Sequence, residues 1–162
     1  MSDNNKAVVR GRICEDIIFD HNCKEIKFYS TKVVVPRRNK EKEDYIPIII
    51  SEDLTYGLRE GMFVEIQGEV RMYRKMEDDG ETSHLKIFIF VQDIEQLCQT
   101  EEAFLRNYSY KNRIELNAFV CKEITLRQTP NGIIIADLIA AVNRSVYGKA
   151  DYLPCVAWWD DH

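Results

Sequence analysis

Sliding this sequence along itself by 107 residues aligns 5–51 with 112–158 without a gap. Asn5 meets Asn112, Cys14 meets Cys121, Ile17 meets Ile124 and Ile26 meets Ile133. Val35 meets Val142, Arg37 meets Arg144 and Lys42 meets Lys149, and then Asp44, Tyr45 and Pro47 meet Asp151, Tyr152 and Pro154. Ten identities are few, but an ungapped register with matching apolar positions argues against coincidence. Self-similarity of this kind has to be read before any single element, because it dictates the architecture. The chain holds two copies of one unit, and residues 98–110, "CQTEEAFLRNYSY", form a connector with a short helix.

Each copy reads as β. Enrichment in Val, Ile, Tyr and Phe with period-2 alternation predicts strands. In copy one they cover Lys6–Cys14, Glu25–Pro36 and Asp44–Ser51, with a short helix or turn at Glu52–Gly57. Two more strands, Met62–Tyr73 and His84–Leu97, flank the turn-rich "MEDDGETS". Five short strands and one small helix suit a small closed barrel, which removes the open edges on which sheets aggregate. Copy two has counterparts of the first three strands only. The expected organisation is a first domain over 1–97, a linker over 98–110 and a partial second domain over 111–162. A length of 162 residues suits one large or two small domains.

Alternation sorts each strand into two faces. In the third strand of copy one, Ile46, Ile48 and Ile50 point inward, and Tyr45, Pro47, Ile49 and Ser51 outward. In the fourth, Val64, Ile66, Gly68, Val70 and Met72 point inward, and Glu65, Gln67, Glu69, Arg71 and Tyr73 outward. In "DYLPCVAWW", Tyr152, Pro154, Val156 and Trp158 share one face, and Leu153, Cys155, Ala157 and Trp159 the other. The two tryptophans therefore diverge. Either one lies in the core and the other at a subunit contact, or Trp158 is a base-stacking platform; alternation leaves both open.

The net charge of −5 does not advertise a nucleic-acid binder. Charge is clustered, however. "KVVVPRRNKEK" holds Lys32, Arg37, Arg38, Lys40 and Lys42 against Glu41 alone, and Arg71, Arg74 and Lys75 form a second group beside Tyr73. A cation next to an outward ring is what a single-stranded nucleic acid uses, since phosphates want positive charge and unpaired bases want a flat apolar surface. A solvated strand end with a half-buried Tyr73 gives the same pattern.

Catalysis has no foothold. His21, His84 and His162 lack metal-ligand spacing, and there is no Gly-rich phosphate loop. His21 and Cys23 are close in sequence but have no evident orienting acid or oxyanion site. The five cysteines contain no C-x-x-C, so neither a disulfide framework nor a zinc site is indicated. The start "MSDNNKAVV" is not a signal peptide, and no apolar run is long enough to span a bilayer. A reducing cytoplasm is the simplest compartment. Neither a cofactor nor a metal is expected.

Residues 112–158 also carry a set of motifs: Asn112–Arg113, "LRQTPNG" over Leu126–Gly132, "ADLIAAVNR" over Ala136–Arg144, the pair Asp151–Tyr152, and "CVAW" over Cys155–Trp158. This stretch closely resembles the N-terminal half of bacterial single-stranded DNA-binding proteins and their relatives, the primosomal replication proteins. Copy one matches more weakly but over the whole fold, including "LREGMFVEIQGEVRMY". The resemblance implies an all-β protein: an OB-fold five-stranded Greek-key barrel followed by a partial second OB-fold. It also implies binding of single-stranded DNA without catalysis, in replication, repair and recombination.

Tyr152 and Trp158 fall where the family stacks bases, and Tyr147 falls in a loop where it often has an aromatic. Copy one keeps Tyr45 but has Ser51 in place of the tryptophan, so its binding is expected to be weaker or to lean on Arg37, Arg38 and Lys40. With the cations of copy two, the implied DNA-binding set is Lys32, Arg37, Arg38, Lys40, Tyr45, Arg71, Tyr73, Arg74, Lys75, Arg113, Arg144, Tyr147, Lys149, Tyr152 and Trp158. Family habit implies four barrels from two chains, hence a homo-oligomer, and replication proteins as partners. The rival reading is a protein-interaction or oligomerisation module of a primosome-like complex with weak DNA affinity, which the negative net charge and Ser51 favour. Two features depart from the family: the acidic tail with an apolar tip is missing, and copy two amounts to half a barrel. The expectation drawn from the second is a fragment of a longer two-barrel protein.

Overall fold

The computed structural model describes residues 4–37, 42–76, 80, 82–144 and 148–158. It divides into two compact units, one over Asn5–Glu115 and one over Leu116–His162 with Asn4.

The first unit is built from β1 (Asn5–Ile13), β2 (Ile18–Cys23), β3 (Ile26–Pro36), β4 (Glu43–Ser51), β5 (Phe63–Met76) and β6 (Ser83–Cys98). A 3₁₀ turn, Glu52–Leu54, follows β4. The sheet closes on itself. β1 pairs with β3 and β5, β3 with β4, and β5 with β6, all antiparallel, and β4 pairs with β6 in parallel through Ile48↔Ile89 and Ile49↔Phe90. That circuit is the five-stranded OB-fold barrel. Its interior is filled by Ala7, Val9, Ile13, Val33, Val35, Ile48, Ile50, Val64, Ile66, Val70, Ile89 and Val91. Glycine is required where neighbouring strands approach most closely. A Cβ on Gly68 would run into the carbonyl oxygen of Phe90, and one on Gly11 into that of Val34.

The connector is not loose. Helix α1 (Glu101–Asn107) starts at Thr100, whose hydroxyl accepts from the Ala103 amide, and buries Phe104. The Phe104 ring stacks on Phe63 with centroids 4.9 Å apart. Strand β7 (Arg113–Leu116) then adds to the first sheet beside β1.

Three features differ from the sequence expectation. Strand β2 was not foreseen, because "IFDHNC" has neither alternation nor β-branched density; all six residues are exposed. It is held as a hairpin on β3, turning at Lys24 (φ 57°), with a register shift between Phe19 and His21. Ile49, expected outward, does lie on the outer face, yet it is buried there in a second small cluster with Phe28, Phe88 and Phe90. Glu69, also outward, is only 3% exposed. Both follow from outer-face aromatics on β3 and β6 that cover their neighbours.

The second unit contains β8 (Phe119–Val120), β9 (Thr125–Gln128), β10 (Ile134–Asn143) and β11 (Ala150–Trp158), with β10 pairing to all three others. Its register repeats that of the first unit. Arg12↔Val34 recurs as Phe119↔Ala141, Val34↔Tyr45 as Ala141↔Tyr152, and Ile18↔Ser30 as Thr125↔Asp137. Single hydrogen bonds recur too. The Cys14 amide donates to Lys32 O and the Cys121 amide to Ile139 O, while the Arg37 amide donates to Lys42 O and the Arg144 amide to Lys149 O. The second unit is thus a partial copy of the OB-fold. Ala140, Val142 and Leu153 are buried, but Phe119, Leu126 and Ile134 remain exposed. No helix among the described residues is long and apolar enough to cross a membrane.

Candidate nucleic-acid interface

Directly opposed residues of neighbouring strands lie on the same face of a sheet. On the barrel's outer surface this rule sets Tyr45 against Val34, Lys32 against Pro47, Tyr73 against Lys86, and Arg71 against Phe88. A groove of 320 Å³ runs over this face, lined by Lys32, Pro47, Ile49, Tyr73, Lys75, Lys86 and Phe88, with Glu15, Asp16 and Asp20 also on its walls. Tyr73 and Phe88 meet edge to face at 5.5 Å. Burial first, and Asp20 second, raises the Tyr73 hydroxyl above the ordinary tyrosine value. Tyr45 is 59% exposed, and its hydroxyl, donating to Glu43 at 3.2 Å, is likewise raised by that bond.

The expected cations fall into three groups. Lys32, Arg37, Arg71, Arg113 and Arg144 each hold a carboxylate. Lys32 Nζ lies 2.7 Å from Glu15 Oε1, a contact that raises the lysine's pKa. Arg37 forks onto Asp44 through Nε at 2.8 Å and Nη2 at 2.5 Å. Arg71 donates twice to buried Glu69, which also accepts from Gln92, and its guanidinium lies 3.9 Å from the centroid of the Phe90 ring. Arg113 pairs with Glu115 on β7, in the first unit. Arg144 forks onto Asp151.

The second group, Arg74, Lys75 and Lys149, makes no ion pair among the described residues. Strand β5 runs on to Met76, so Arg74 lies inside it on the face opposite Tyr73 and Lys75, rather than beside them at a strand end. Arg38 and Lys40 form the third group and, with Tyr147 and Trp159, lie outside the described residues.

In the second unit Tyr152 and Trp158 share the outer face of β11 with Pro154 and Val156, opposite Ala141 and Ile135 of β10. Tyr152 is 52% and Trp158 63% exposed. Trp158 itself is therefore exposed and not in the core, although Ile135, opposed to it on the same face, is buried. Arg127, which the sequence reading passed over, lies on that face too and pairs with Asp137, depressing the aspartate below its ordinary range. Lys86 and Phe88 were missed as well. Their alternation in "HLKIF" was visible, but the turn joining β5 to β6 had no readable register, so the partner of Tyr73 was not.

No family model matches the chain, and no curated protein matches it significantly. Solved structures do. The wild-type single-stranded DNA binding protein from Thermus aquaticus aligns with 95% of this chain and 73% of its own, at 16% identity and a TM-score of 0.67. A deletion mutant of that protein aligns with 95% and 75%, at 14% identity and the same TM-score of 0.67. The N-terminal domain of PriB protein from Thermoanaerobacter tencongensis, a dimeric structure, aligns with 58% of this chain and 97% of that one, at 29% identity and a TM-score of 0.48. Through the Thermus alignments, which extend over both units, this chain has the fold of the bacterial single-stranded DNA-binding proteins: an OB-fold barrel followed by a partial second OB-fold.

Proposed function

We propose that the chain binds single-stranded DNA, without catalysis, by stacking unpaired bases on the outer faces of its two OB-fold units. The single observation that carries the reading is the equivalence of Tyr45 and Tyr152, exposed at the same register position of the two copies. Trp158 extends the second platform, and Tyr73, with Lys75 beside it, extends the first. Each base stacked on an aromatic contributes roughly 1–3 kcal/mol, and an OB-fold of this size accommodates about 4–16 nucleotides. Two units on one chain add effective concentration to either affinity. The setting is replication, repair and recombination in the cytoplasm, with homo-oligomers and replication proteins as partners.

The competing reading is a protein-interaction module with weak DNA affinity. The ion pairs holding Lys32, Arg37, Arg71 and Arg144 favour it, since they leave less positive charge for phosphates. Titration of intrinsic fluorescence with oligo-dT separates the two. Quenching that is largely lost in Trp158→Ala supports stacking. Absence of quenching and of any gel shift at low salt, together with capture of a replication protein, overturns DNA binding in favour of the rival.

A further inference from the structure

Each expected phosphate ligand with a carboxylate already in contact sums to zero charge. A lysine whose charge is offset by an adjacent carboxylate gains less from a phosphate than an unpaired one, because the three groups together carry a net negative charge. In the first unit this removes Lys32, a groove residue held by Glu15, and, outside the groove's lining, Arg37 and Arg71, held by Asp44 and Glu69. Two groove cations, Lys75 and Lys86, make no ion pair among the described residues. They flank one ring. Tyr73 pairs across the strands with Lys86, and Lys75 follows two residues on along the same face.

Resting on the reading that the chain binds single-stranded DNA, we infer that Lys75 and Lys86 are the phosphate contacts of the first unit's groove, placed on either side of the Tyr73 stacking ring, while Lys32 is held in reserve by Glu15. Recognition by this unit then depends on bases more than on phosphates. Stacking needs unpaired bases, so a duplex, which offers phosphates but no free ring faces, is discriminated against more strongly than by an open cationic groove.

The salt dependence of binding reads this directly. For single strands the logarithmic salt slope is about −0.7 for each phosphate neutralised, so losing two contacts flattens it by about 1.4, or roughly sevenfold in relative affinity between about 50 and 200 mM salt. Anisotropy of a labelled oligo-dT is followed across that range with the full chain. K75Q/K86Q flattens the slope by about 1.4, and K32Q leaves it within error. E15Q frees Lys32 and steepens the slope by about 0.7, an effect abolished in E15Q/K32Q. D16N removes the same charge from the same groove without releasing a cation, so it shifts affinity but not slope. A K32Q slope change of about 0.7, half that expected of K75Q/K86Q, or an unchanged slope in K75Q/K86Q, overturns the inference and leaves DNA binding intact. No binding by the wild-type chain at any salt overturns the functional reading itself.

Discussion

Arg144 grips Asp151 with Nε at 2.7 Å and Nη2 at 2.5 Å, and the carboxylate so held is 1% exposed. Its counterpart pair, Arg37 and Asp44, has the same fork geometry, but both side chains are about half exposed. Breaking a buried pair by removing one partner costs about 3–5 kcal/mol, whereas an exposed pair is worth about 0–1 kcal/mol. Arg144→Met is therefore expected to destabilise the second unit several-fold more than Arg37→Met destabilises the first. Urea denaturation of the two variants measures the difference, and equal costs would contradict the role assigned to burial.

The equivalent tyrosines provide the sharpest functional comparison. Tyr45→Ala and Tyr152→Ala are each expected to weaken oligo-dT binding by about 1–3 kcal/mol. Both residues are exposed, so stability should change by no more than about 0.5 kcal/mol. Loss of affinity accompanied by loss of folding, checked by thermal unfolding, would show that the rings serve the fold and not a ligand.

Gly68 tests barrel closure. A Cβ there would meet the backbone carbonyl of Phe90, which cannot yield as a side-chain tip can. Gly68→Ala is expected to destabilise by about 1–3 kcal/mol or more, through strain like that of an overpacked core. A neutral effect in chemical denaturation would mean that β5 and β6 separate freely at this point.

Acid should weaken the fold through its paired aspartates. The hydrogen bond from Arg37 holds Asp44 below its ordinary value against a smaller opposing effect of burial, and Arg127 does the same for Asp137. A folded pKa below the unfolded one gives stabilisation that is complete above the unfolded aspartate value, near about 4, and is lost as pH falls through the folded value. Carboxyl NMR titration should find Asp44 titrating below the usual range in the wild-type chain and returning towards it in Arg37→Gln. The accompanying loss of stability is small because the pair is exposed and screened.

Much of the first unit was legible because alternation is strict where one face is core: β1, β3, β4, β5 and β6 all fall close to their expected positions. Alternation could not show that the other face buries Ile49 and Glu69, since that depends on which outer side chains are large enough to cover a neighbour. Nor could it show β2, whose exposed residues owe their conformation to hydrogen bonding with β3. The identity of Arg37 with Arg144 and of Asp44 with Asp151 marked both pairs, but composition alone suggested phosphate ligands. The structure gives each arginine a carboxylate seven residues on.

The parallel contact of Ile49 with Phe90 also sets an order of events during synthesis. A ribosome adding about 5–20 residues each second needs roughly 2–8 s to travel from one residue to the other. Throughout that interval β3 and β4 stand as an open curl with apolar residues bare. The nascent first unit is therefore most vulnerable to aggregation or chaperone capture after β4 emerges and before β6 does, and a pause in translation within that window would prolong the exposure.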